Sequence, residues 1–195
     1  VYEVRVRLEG ATLAPERLEI TMEHVRADVQ LDSAGGISIR NAECSVKGGQ
    51  VRVTGSLRRK PDGEILPDLT VELRTVPVLP EVYSGLPGKI PEIVRDVGLK
   101  DGAVEGRVHI GKGWAEFDLH LSGERLLSPK FPLPVSDVTA DLSWSSKTKK
   151  VTIRDVRARH GDGVLRGMGT ANLDGPDVLD FAVEGHNMAV GEHVA

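Results

Sequence analysis

Aromatic side chains are scarce in this sequence: two Trp, two Tyr and three Phe make up 4% of 195 residues. A dense aromatic enzyme core is a poor match for so few large rings. Cysteine is nearly missing as well. With Cys44 alone there is neither an internal disulfide nor a thiolate metal cluster. Long apolar runs are absent, and no stretch approaches the roughly 18 residues of a membrane helix. Charge of one sign is also lacking. The 25 basic and 29 acidic residues are interspersed and leave a net charge of -4, which provides no basic footprint for nucleic acid and no acidic tail. The chain shows no Met start and no signal peptide, so it reads as an excised or mature segment, and any anchor would lie outside these residues.

What is present in quantity is glycine, 22 residues of it, set among alternating apolar and polar positions. In VYEVRVRLEG, Val4, Val6 and Leu8 point one way while Glu3, Arg5 and Arg7 point the other. The same period of two runs through RADVQLD, GISIRNAECSV, QVRVTGSL, LTVELRTV, GAVEGRVHI, EFDLHLSG, VTADLSW, KVTIRDVRA and DFAVEG. Turn signals separate these runs at SAGG (33–36), KGGQ (47–50), KPDG (60–63), SSKTKK (145–150), HGDG (160–163) and LDGPD (173–177). About ten or eleven strands joined by short connections imply a mostly-β chain, an antiparallel meander with one apolar face.

The pattern also repeats. Residues 1–34 laid over 114–147 without a gap put Glu3 on Glu116, Leu8 on Leu121, Gly10 on Gly123, Val25 on Val138 and Asp28 on Asp141. After one inserted residue, Ile39 meets Ile153, Gly49 meets Gly163 and Gly55 meets Gly169; later, Asp68, Val71 and Glu72 meet Asp180, Val183 and Glu184. The expected organisation is a first β-repeat over 1–90, a short helix and connecting strand over 91–113, and a second β-repeat over 114–195. Both repeats belong to one elongated domain. Pro77, Pro80, Pro87 and Pro91 interrupt the ladder. Pro91, Glu92 and Gly98 bracket a short helix, PEIVRDV, which serves as a connector or lays Ile90, Ile93, Val94 and Val97 on the apolar face.

Residues that could carry chemistry give little. His109 and His120 lie on neighbouring strands with no carboxylate or cysteine at ligand spacing in the sequence. HGDGVLRGMG (160–169) is Gly-rich but continues as a strand, where a phosphate loop needs a helix N-terminus. Cys44 alternates with Ala42 and Val46 as a small apolar residue. Ser136 precedes Asp137 outside any nucleophile elbow. Asp28, Asp32, Asp141, Asp174 and Asp177 read as turn caps. No catalytic constellation, metal site or cofactor is expected.

The apolar face must be covered by a second sheet, a helix or a ligand. Eleven strands at about 4.8 Å spacing would span roughly 50 Å, and such a sheet would curl into a trough with an aliphatic inside and a charged outside. VRADVQLDSAGGISIRNAECSVKGGQVRVTGSL (25–57) and VTADLSWSSKTKKVTIRDVRARHGDGVLRGMGTANLDG (138–175) share one phrase: V-x-A-D, a turn, an I-R-[ND] strand and a Gly-rich turn. LPDLTVELRTVPV (66–78) and VLDFAVEGHNMAV (178–190) read as closing strands. On these segments the chain resembles the periplasmic AsmA-like family, the YhdP and TamB relatives. The resemblance implies a curved open β-groove of half-pipe form, anchored to the inner membrane by a segment outside these residues. It also implies phospholipid acyl chains as cargo towards the outer membrane, with outer-membrane proteins as candidate partners. No catalytic residue carries over; what does is a lining of Val4, Val6, Leu8, Val51, Val53, Phe117, Leu119, Leu121, Phe181 and Val183. The competing expectation is a structural or adhesive β-sandwich of the cell envelope.

Overall fold

A computed structural model describes residues 3–14, 21–83, 95, 98–126, 134–172 and 179–187. The strands fall where period two places them: β1 (Glu3–Leu13), β2 (Met22–Asp32), β3 (Ile37–Val46), β4 (Gly49–Arg59) and β5 (Ile65–Pro77). A one-turn helix α1 (Pro80–Tyr83) and a two-residue strand β6 (Leu99–Lys100) follow. The chain then forms β7 (Ala103–Gly111), β8 (Trp114–Leu126), β9 (Val135–Ser145), β10 (Lys150–His160), β11 (Gly163–Asn172) and β12 (Leu179–His186). The helix expected over 91–97 lies outside the described residues apart from Arg95, while α1 was not anticipated.

All twelve strands form one antiparallel sheet in the order β1-β2-β3-β4-β5-β7-β8-β9-β10-β11-β12, with β6 off this path against β8. Strand follows strand because the turns are short. Lys47 and Gly48, at φ of 50° and 89°, join the paired residues Val46 and Gly49 in the two-residue primed turn that suits right-twisted strands. Pro77 takes the last position of β5, where a missing N–H costs the ladder little. The sheet is open and curved. Among the described residues, substantial contacts between elements join only hydrogen-bonded neighbours, so no second layer covers either face.

The aligned repeats occupy equivalent strands, β1–β5 in the first and β8–β12 in the second, and the likeness extends to backbone irregularities. His24 and Asp137, 113 residues apart, share φ values of 52° and 50°; Thr75 and Asn187, 112 apart, share 51° and 55°. The β3–β4 register shifts between Ile39 and Ala42, and β10–β11 shifts between Ile153 and Val156, 114 residues on. Bulges raise local twist and bend the strand. Most of these lie toward one end of the strands, and burial concentrates there too. Val25, Val46, Val76, Val135, Val138, Ala158 and Leu165 are buried near that end. The core is therefore a strip along one rim of the sheet.

Solvent exposure confirms how little is covered. The chain exposes 13065 Å², against roughly 9,000 Å² expected from surface scaling for a compact protein of its mass.

Candidate functional site: the apolar face

Cross-strand pairing assembles the face. One row of partners runs Leu8, Ala27, Ala42, Val53, Val71, Val108, Phe117, Trp144, Val151 and Ala171, from β1 to β11 without a polar residue. A second runs Cys44, Val51, Leu73, Gly106, Leu119, Leu142, Ile153, Gly169 and Phe181, from β3 to β12. Side chains on facing positions share a side of the sheet. Val4 and Val6 pair with Leu31 and Val29, Leu121 with Val104, and Val183 with Gly167. All the residues expected to line a groove therefore share one face.

Their environments differ. Val51, Val53, Phe117, Leu119 and Leu121 are half-buried, and Phe117 stacks on Trp144 at 5.6 Å between ring centroids. Val4, Val6 and Leu8 on β1 are 45%, 37% and 40% exposed, and Phe181 and Val183 on β12 are 38% and 47% exposed. Those two strands are the edges. Phe181 and Val183 also wall an apolar cleft of about 210 Å³, together with Leu126, Val135, Val138, Val156, Ala158 and Leu165. Sequence reasoning missed the rest of this cleft because Leu126, Val135 and Val138 lie three or more strands away from β12 in the sheet order. Burial pushes the Cys44 thiol up from its ordinary pKa, in keeping with its place in the second apolar row.

The opposite face is ionic and ordered. Arg26, Glu43, Arg52, Glu72, Arg107 and Asp118 are successive cross-strand partners of alternating sign. Arg107 Nη2 lies 3.0 Å from Glu72 Oε1, and Arg52 Nε lies 3.4 Å from Glu43 Oε1. Replacing Glu72 with Lys puts three cations side by side. It should cost about 1 kcal/mol in a urea titration at low salt, and less at high salt.

Several readings made from turn and ligand spacing change. Asp32 does cap its turn, accepting from Ala34 N and Gly36 N at 2.8 Å each. Asp28 and Asp141 instead sit within strands. Asp28 accepts from Arg5 Nε at 2.8 Å, and His120 Nδ1 lies 2.8 Å from Asp141 Oδ1. Hydrogen bonding from Arg5, aided by its charge, holds the Asp28 carboxyl below the usual aspartate range. A lowered carboxyl stabilises the fold above the ordinary aspartate pKa and loses that contribution as pH falls through the lowered value. An NMR titration should find Asp28 moving up in the Arg5→Gln variant. Asp174 and Asp177 lie outside the described residues.

Carboxylates also reach His109 from other strands, Asp68 Oδ1 at 3.2 Å and Glu116 Oε1 at 3.8 Å, a neighbourhood that sequence spacing could not reveal. Even so, among the described residues no group of three His, Cys, Asp or Glu could hold a metal ion. The glycines of 160–169 form the β10–β11 hairpin and a strand. No described helix is long and apolar enough to cross a membrane.

Fold and face together define a class: an open antiparallel meander with one charged face and one aliphatic face that no described element covers. Comparison with protein-family profiles, curated proteins and solved structures gives no match for the chain.

Proposed function

We propose that this chain is a segment of a hydrophobic β-groove in the periplasm that carries phospholipid acyl chains between the inner and outer membranes. The observation that supports the reading is the apolar row running from β1 to β11, left half-open to solvent with no second layer over it among the described residues. Burying apolar surface is worth about 25 cal/mol per Å², so an uncovered face of this extent favours an apolar occupant. Val, Leu, Ile and Ala impose little directional chemistry and accept flexible alkyl chains of any register, while headgroups remain outside in water. On this reading a segment outside these residues anchors the groove to the inner membrane, and outer-membrane proteins receive the lipid. A sandwich reading would need a second sheet, which the described residues do not form.

Native mass spectrometry of the gently purified chain should show phospholipid adducts. Leu119→Asp places a carboxylate in the middle of the second row, at a half-buried position. Adducts should disappear while the far-ultraviolet circular dichroism of the sheet persists. Adducts that survive in a folded Leu119→Asp variant, or wild-type chain that captures no lipid from phosphatidylethanolamine vesicles, would sink the proposal.

A further inference from the structure

The two copies of the repeat allow each edge strand to be compared with its own equivalent inside the sheet. Phe181, Val183 and Glu184 on β12 correspond to Leu69, Val71 and Glu72 on β5. The β5 residues are half-buried, and the β12 residues are exposed. What differs is β7, which pairs with β5 through Leu69↔Ile110, Val71↔Val108 and Glu72↔Arg107. On β12, Glu184 faces Arg166 of β11, and among the described residues no strand lies on its other side.

Strand parity dictates what can fill that side. β5 and β8 run in the same direction because each is antiparallel to β7. A strand of the β8 kind placed directly on β5 would make a parallel pair, which an antiparallel meander cannot reach by a short turn. β7 is the odd strand that restores the alternation between one copy and the next. The same constraint applies to β12, whose edge carries no Lys or Pro to block pairing.

We propose that the edge of β12 left unpaired among the described residues is a docking site for an extended polypeptide strand of the β7 kind. This strand runs antiparallel to β12, sets aliphatic residues against Phe181 and Val183, and brings a cation opposite Glu184 as Arg107 does for Glu72. The inference uses the backbone edge and the charged face, so it stands independently of any lipid on the apolar face.

Ala195 is equivalent to Tyr83 by the 112-residue offset that relates β12 to β5. The full chain extended after Ala195 by a copy of residues 84–113 therefore presents a second β7 in register with β12, at high effective concentration. Hydrogen exchange is the readout. β12 amides should exchange about tenfold or more slowly than in the unextended chain, approaching β5. Changing the copied arginine, the counterpart of Arg107, to Glu should remove most of that protection, and Glu184→Arg in the same chain should restore it. Unchanged β12 exchange in the extended chain would overturn the proposal. So would protection that appears on β1 in place of β12, or protection indifferent to both charge reversals.

Discussion

Gly106→Ala should destabilise the chain by about 3 kcal/mol in chemical denaturation, a large loss for the addition of a single methyl group. Gly106 lies within β7 at φ +137°, in the region that L residues avoid. A Cβ there would collide with the backbone of β8, falling well inside contact distance of the Asp118 carbonyl oxygen and 2.9 Å from Leu119 Cα. The obstruction is main chain, so no rotamer change relieves it. Gly55 repeats the geometry on β4, at φ +131° against Asp68 and Leu69. A control separates strain from collision: Gly113 has φ +66° with nothing within 4 Å of an added Cβ, and Gly113→Ala should cost only about 1 kcal/mol. Equal losses at Gly106 and Gly113 would show that the close approach of β7 to β8 is wrong.

Leu165→Ala should cost about 2–3 kcal/mol, whereas Met168→Ala on the same strand should stay within about 0.5 kcal/mol. Leu165 is buried with Val135, Val138 and Ala158, against which Leu99 and Leu126 pack, and truncation leaves a cavity in the only such cluster the described residues form. Met168 points to the charged face and is 66% exposed, so its removal takes little area out of contact. If the core were spread evenly over the apolar face, Leu165→Ala would resemble Leu119→Ala. A rim core instead makes Leu165 the costlier site by more than 1 kcal/mol, and thermal unfolding of the two variants reads the difference.

Much of this architecture is visible in the residue pattern. A period of two needs no tertiary information, because side chains alternate across any strand, and Gly and Asp at fixed intervals mark the hairpins. The repeat could be read from aligned positions such as Gly55 and Gly169. The charge ladder could not, since pairing Arg26 with Glu43 and Glu72 with Arg107 requires the cross-strand register. Several of the bulges shift that register without a glycine to announce them: His24, Thr75 and Asp137 take positive φ with ordinary side chains. The carboxylates at His109 were hidden for the same reason, Asp68 being 41 residues away in sequence.

Alternation alone determined that this chain makes an antiparallel meander with one aliphatic face and one ionic face, and that Val4, Leu119 and Phe181 share a side. Only the tertiary structure decided which of them are covered. Leu8 and Leu121 are aligned residues of the two repeats, yet Leu8 lies open at an edge while Leu121 has β7 alongside. Burial is a property of neighbours, and neighbours depend on strand order, edges and bends that a local pattern does not encode.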